Sequence, residues 1–415
     1  QRKKLNMTAD NDMESVRTKA HQILSKLIIE NDNESEIGID DKYQSWIRGM
    51  IEIADETSSS AAATEAAAIY EEKNVDKEKK KNCFLPTKRC RYFDRNGFLL
   101  VQNFADANTE VQSMKKQMKE LVETEWHPSS SSNTAVFRTD EGQLKAQGSN
   151  DYFLDSATAV HYFAEKDALL GNEELKKEYY QNKVSALNKV GHALHTLPSS
   201  AFHAYATSEK IKSLVHELGW IDPVIPQSMY IFKQSKIGGE VTSHQDSTFL
   251  YTTPKQSCLG LWLALDDATM ENGCLWVRPK SHLESVRRKF KRNPDYFGNS
   301  DKAPSSTPPP KLIFEDLVDV QTQKDICPWE GALPENHTFQ GLLDVGFVPI
   351  ECKAGDLVVF PGTLDHLSLA NTSKKSRHTF QLHLVEGYYV AGVTWDESNW
   401  LQYPNGMSFL SILNE

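Results

Sequence analysis

The second half of the chain is a succession of short strand-like runs, and nothing else in the sequence restricts the fold as much. Residues 227–233 (QSMYIFK), 259–265 (LGLWLAL), 274–277 (CLWV), 356–360 (DLVVF) and 379–385 (TFQLHLV) are β-branched or aromatic in character, with Gly and Pro between them. Strands this short are stable only when several pair and press an apolar face against another layer. The pattern predicts a sandwich or barrel, with a jelly roll as one candidate. Residues 295–345 interrupt it with Pro304, Pro308, Pro309 and Pro310 and little periodicity. A connection that long inside a compact domain is usually functional or mobile.

Upstream the period changes. Val16, Ala20, Ile23, Leu24, Leu27 and Ile28 fall at helical spacing, and Tyr43, Trp46, Ile47, Met50 and Ile51 repeat the pattern. Low-complexity Ser and Ala tracts (58–68) and a charge run (77–81) follow. Residues 1–82 therefore read as a helical, partly disordered extension, loosely packed or an arm for a protein partner. Residues 83–415 read as the compact domain. It opens with a polar turn around Gly97, a strand to Val101, and a helix with Val111, Met114, Met118, Leu121 and Val122 on one face. Gln1 opens the chain and Met7 is a candidate start.

The net charge of −11 argues against a general nucleic-acid or membrane-surface binder. No apolar run is long enough for a membrane span, and no targeting signal is visible. Six cysteines are scattered without a CxxC pair, so reduced thiols and a cytoplasmic location are the default expectation.

Chemistry concentrates in His244-Gln245-Asp246. Residues two apart on an extended chain project to one face. An imidazole beside a carboxylate supplies two of the three ligands of a non-haem Fe(II) facial triad. His366, after the run 356–360 and a Pro-Gly turn, is the candidate third ligand. Arg377 opens the following strand. If the two segments form a hairpin, its planar fork sits beside His366 and suits a carboxylate. A metal with open positions next to an anchored carboxylate is what a 2-oxo acid co-substrate needs, and Ser368 is placed to add a hydrogen bond. Each of these residues has an ordinary alternative as a surface strand pair or a solvated cation. A cupin-like enzyme using another divalent metal without an oxo acid is also open, with Arg377 as the discriminating residue. So is a catalytically silent binding protein on the same fold.

The stretches 93–104 (FDRNGFLLVQNF), 146–154 (AQGSNDYFL), 187–195 (LNKVGHALH), 227–234 (QSMYIFKQ), 238–254 (GGEVTSHQDSTFLYTTP), 259–282 (LGLWLALDDATMENGCLWVRPKSH), 378–387 (HTFQLHLVEG) and 394–402 (TWDESNWLQ) resemble the phytanoyl-CoA dioxygenase family of Fe(II)/2-oxoglutarate oxygenases. The resemblance implies a mainly β, double-stranded β-helix (jelly-roll, cupin-like) core with flanking helices. It implies Fe(II), 2-oxoglutarate and O2 as cofactor and co-substrates, and a small organic or acyl-CoA-like substrate. Carried onto this sequence, the metal ligands fall on His244, Asp246 and His366, and the carboxylate-binding pair on Arg377 and Ser368. Met229 and Trp262 fall on positions lining the 2-oxoglutarate pocket. Asp246 favours hydroxylation, because related halogenases have a small residue there. The family's upstream lysine has no clear counterpart, with Ser185, Lys183 and Lys189 all near the expected place. His282, in a Pro-Lys-Ser-His turn, is expected to be structural or exposed. The basic cluster Arg287, Arg288, Lys289, Lys291 and Arg292 is expected to be a solvated loop or a site for a phosphate-bearing substrate.

Overall fold

The computed structural model describes residues 9–32, 87–128, 135–136, 150–170, 174–298, 309–404 and 406–413. The second helical pattern (Tyr43 to Ile51), the low-complexity tract and the charge run lie outside the described residues. The first pattern forms helix α1 (Ala9–Asp32). Val16, Ala20 and Leu27 are buried against the β core, while Ile23 stays on the outer side. Arg17 fixes the docking through Glu351 (3.1 Å) and Glu271 (3.0 Å).

The polar stretch before Gly97 is not a turn but the end of helix α2 (Lys88–Asn96), capped at its start by Thr87. Gly97 ends it at φ +78, where a Cβ would also fall 2.3 Å from the His282 ring. Only glycine meets both demands. Strand β1 (Leu99–Val101) and helix α3 (Glu110–Glu125) follow, the latter burying Val111, Met114, Met118 and Val122 at helical spacing. Next come β2 (Val160–Ala164), β3 (Leu187–His192), helices α4 (Ala201–Ala206) and α5 (Glu209–Glu217), and β4 (Pro223–Lys233). The longer strands that follow are β5 (Val241–His244), β6 (Leu259–Ala264), β7 (Leu275–Val277), β8 (Arg288–Arg292), β9 (Leu312–Asp316), β10 (Val348–Ile350), β11 (Leu357–Pro361), β12 (His366–Ser368) and β13 (Arg377–Glu386).

Two sheets face each other. The larger runs β1-β11-β6-β13-β4-β3-β2, with the short strands Ala135–Val136 and Leu410–Ser411 added at its margins. The smaller runs β10-β7-β12-β5. Their pairings are antiparallel, except that the short strand Ala135–Val136 runs parallel to β2, and successive strands alternate between the sheets over much of the core, which is the jelly-roll arrangement. Strand period explains why the sequence of β6 is apolar throughout. Leu261 and Leu263 join the cluster under the helices, whereas Trp262 and Ala264 join the cluster between the sheets. The same alternation sends Phe380, Leu382 and Leu384 of β13 into the helix-side core. Arg377, Gln381 and His383 then point into the space between the sheets.

The described part of 295–345 is built into this core rather than looped away from it. Gly331 N–H donates to Ser243 O (2.9 Å) and Ser243 N–H to Ala332 O (2.9 Å), so the segment extends the edge of the smaller sheet at β5. Its Glu330 is buried against Arg287. The basic run is not a solvated loop, and four of its five cations are matched by carboxylates. Arg287, Arg288 and Lys289 are buried. Arg287 and Arg288 meet Glu330, Lys289 meets Asp396 (2.5 Å), and Lys291 meets Glu315 (2.7 Å). Carboxylates brought in from the insert and the C-terminal segment already balance these cations, which local composition could not reveal.

Candidate active site

A cavity of about 470 Å³ opens between the sheets. His244 ends β5 and His366 begins β12, and the antiparallel register sets the two residues directly opposite each other. Gln245 keeps extended backbone angles, so Asp246 returns to the face of His244. Gln245 points the other way, where its amide donates to Thr363 O (2.8 Å) and its carbonyl accepts from Arg287 N–H (3.1 Å). The result is a cluster in which one donor atom each from His244, Asp246 and His366 lies within 4.8 Å of the others. Among the described residues it is the one group of three such side chains arranged this way.

The donor set suits a divalent metal. His244 Nδ1 lies 2.8 Å from Thr242 O, and His366 Nδ1 lies 3.0 Å from Leu364 O. A carbonyl only accepts, so both Nδ1 atoms carry the hydrogen and both Nε2 lone pairs face the cluster. Asp246 Oδ1 is 3.5 Å from His244 Nε2 and 3.7 Å from His366 Nε2. Burial first, then the neighbouring His244, draws His366 down to about 4, so it is neutral at neutral pH. Burial disfavours charge on His244 as well, but the Asp246 carboxylate outweighs it and moves this imidazole up. For Asp246, burial alone would raise the carboxyl, but His383, His366 and His244 around it hold it well below the usual range. Two nitrogens and one anionic oxygen on one side, with space on the other, form the facial arrangement expected of non-haem Fe(II).

The other predicted residues converge on the same cavity. Arg377, Ser368, Met229 and Trp262 all line it. The hairpin expected to carry Arg377 to His366 is absent. β12 pairs with β5 and β7, whereas β13 pairs with β4 and β6, so the two residues approach across the space between the sheets. Arg377 is 2% exposed, lies over the Trp262 ring (5.2 Å), and donates to Gly273 O (2.8 Å) and Thr379 Oγ1 (3.3 Å). Its Nε has no partner among the described residues. Burial draws it down to about 10, which leaves it charged at neutral pH. A buried guanidinium with an unused donor is suited to receive an anion.

Of the upstream candidates, Ser185 bonds Asn182 O (2.6 Å) and Lys183 bonds Trp126 O (2.6 Å), both away from the cavity. Lys189 lines it, 2% exposed, with Nζ 3.0 Å from His192 Nε2. His282 is structural, its Nε2 lying 2.7 Å from Asp94 O. Sequence reading also passed over His383, Gln227 and His192, which line the same cavity. The signal for His383 was a polar side chain at alternate positions (Arg377, Thr379, Gln381, His383) of a strand whose intervening residues Phe380, Leu382 and Leu384 are apolar. Gln227 and His192 carried no such local signal.

The two-sheet fold and the His-Asp-His cluster beside a buried arginine define a metal-dependent oxygenase of the double-stranded β-helix class. The family model described as phytanoyl-CoA dioxygenase matches residues 93–379. A phytanoyl-CoA dioxygenase of Arabidopsis thaliana is 37% identical over 311 residues, covering 75% of this chain and 91% of its own length. Phytanoyl-CoA dioxygenase domain-containing protein 1 of Mus musculus is 36% identical over 320 residues, 77% of this chain and 95% of its own. Among solved structures, the epimerase SnoN in complex with Fe3+, alpha ketoglutarate and nogalamycin RO aligns with TM-score 0.46 at 15% identity, over 77% of this chain and 91% of that one. The chain belongs to the phytanoyl-CoA dioxygenase family and is an Fe(II)/2-oxoglutarate-dependent dioxygenase, with O2 as the second co-substrate. Among the described residues, no helix is long and apolar enough to cross a membrane.

Proposed function

We propose that this chain hydroxylates a small organic or acyl-CoA-like substrate, with His244, Asp246 and His366 as metal ligands and Arg377 as the anchor for the far carboxylate of 2-oxoglutarate. The observation that carries the reading is the pairing of two imidazoles, each with Nε2 turned to the cluster and Nδ1 tied to a backbone carbonyl, with a buried guanidinium in the same cavity. Iron(II) held there would couple oxidative decarboxylation of 2-oxoglutarate to insertion of one oxygen atom of O2 into a substrate C–H bond, yielding succinate, CO2 and the alcohol.

The protein's own part is to bind, orient and exclude water. The Thr242 and Leu364 carbonyls keep the imidazoles in the ligating tautomer. Arg377 offers Nε, and Ser368 a hydroxyl, to the co-substrate. Trp262 stacks on the guanidinium and Met229 closes the wall, so the ion pair forms away from water, where it is strong. Lys189 is the upstream lysine that fits a supporting role, because it is the one of the three candidates that lines the cavity. Phe153, Phe249, Phe290 and Trp400 form an aromatic wall, which suits an apolar part of the substrate. A silent binding protein is the weaker reading, since it gives no reason to keep the donor set and the arginine together.

Anaerobic titration with Fe(II) and 2-oxoglutarate tests the proposal through the visible charge-transfer band of the chelate. The band is expected in the wild-type chain and absent from His244→Ala, with succinate formation following the same pattern. No band and no succinate from the intact chain would defeat it.

A further inference from the structure

Asp246 has two oxygens, and a facial site needs only one of them. Oδ1 faces the two ligand imidazoles. Oδ2 turns away, 3.0 Å from His383 Nε2. His383 is 3% exposed and sits on the cavity face of β13, across the register from Gln227 on β4. Gln227 Nε2 in turn lies 3.2 Å from His383 Nδ1. The direction of these bonds is set by chemistry. A carboxylate oxygen can only accept, so His383 Nε2 carries a hydrogen. In the neutral ring Nδ1 is then the acceptor, and the amide nitrogen of Gln227 is the donor it requires.

We infer that Gln227 and His383 form a positioning relay that ties up Asp246 Oδ2 and leaves Oδ1 alone to bind the metal. The inference rests on the reading of Asp246 as a ligand. Neither relay residue is catalytic in the sense of touching the metal; both act through Asp246. Gly260 makes room for the arrangement, because a Cβ there would lie 3.3 Å from Asp246 Oδ2 and 2.9 Å from the Phe360 ring. Without the relay the carboxylate is free to turn and offer both oxygens. It would then bind less well as a single ligand and occupy a position that 2-oxoglutarate or O2 requires. Such outer hydrogen bonds orient ligands in metal sites generally.

Co(II) binding to the full chain reads this without turnover, through its visible d–d band and its affinity. His383→Leu is expected to weaken Co(II) by about 10–100-fold, the usual loss for an outer-shell partner, and to change the band. His383→Gln, whose amide can still donate to Oδ2, should recover most of that loss, and Gln227→Leu should weaken binding in the same direction as His383→Leu. Equal affinity and an unchanged band in His383→Leu would overturn the inference. So would His383→Gln binding as weakly as His383→Leu, because the hydrogen bond would then be irrelevant. Should His383→Leu not fold by circular dichroism, unchanged Co(II) affinity in Gln227→Leu overturns it instead. A wild-type chain that binds Co(II) no better than His244→Ala sinks the metal-site reading itself, a result distinct from the others.

Discussion

Glu330→Gln takes one carboxylate out of a buried cluster that is otherwise balanced. Arg278, Arg287 and Arg288 are matched there by Glu284, Glu330 and Asp365. Arg287 and the side chains of Glu330 and Asp365 are fully buried, and Arg287 Nε donates to Glu330 Oε2 at 2.6 Å. Removing one partner from such a cluster strands a cation away from water, a loss of about 3–5 kcal/mol. Glutamine keeps the shape and one acceptor, which places the expected loss at the lower end, about 3 kcal/mol. With an unfolding entropy of about 2.1 cal/mol/K per residue over roughly 300 packed residues, that corresponds to a melting temperature about 5 °C lower. Asp365 also accepts from Ser243 Oγ (2.5 Å), so the cluster grips the residues just before His244 and His366, and Co(II) affinity should fall too. The assay is thermal unfolding by circular dichroism of Glu330→Gln, of the single variants Arg287→Met and Glu330→Met, and of Arg287→Met/Glu330→Met. The double variant removes one charge of each sign and should melt above Glu330→Gln. A Glu330→Gln protein melting within about 1 °C of wild type, or losses that simply add in the double variant, would refute the reasoning.

Arg377→Gln should weaken 2-oxoglutarate by about 2–5 kcal/mol, some 30-fold or more, while leaving Co(II) affinity intact, as isothermal titration can check. Metal affinity should fall as pH drops below the raised titration point of His244, by about tenfold per pH unit, because one proton competes with each metal ion. His366, drawn down to about 4, should add a second proton only in stronger acid, so a slope of two near pH 6 would contradict the assignment. Val16→Asp sets a carboxylate at a position of α1 that is 3% exposed and forfeits about 2 kcal/mol of apolar burial. It should lower the melting temperature and speed protease cleavage within residues 9–32, and an unchanged digest would show that the helix contributes nothing to the packed domain.

The parts of the site that were legible in the sequence are those encoded by local spacing. His244 and Asp246 share a face because one extended residue separates them, whatever the rest of the chain does. Strand identity in 259–265 and 379–385 was legible from composition, and helix α3 from its period. Gly97 reads as a turn because the helix before it is short and polar, and the His282 ring that leaves no room for a Cβ there comes from a distant segment. The basic run misled for a related reason: Glu330, Glu315 and Asp396 lie on other segments. Charge compensation between distant segments leaves no trace in the local sequence.

The sequence by itself therefore determined the strands, the acid–imidazole pair, and the residue types suited to a metal and a carboxylate, since these follow from period and chemistry within a few residues. Only the tertiary structure decided how they meet. The register of β5 against β12 sets His366 opposite His244. The division of strands between two sheets brings Arg377 to the cavity across a gap instead of along a hairpin. The pairing of β4 with β13 lines up Gln227, His383 and Asp246. Register and sheet membership are settled by the packing of whole faces against one another, and that energy belongs to the assembled core and to no single segment.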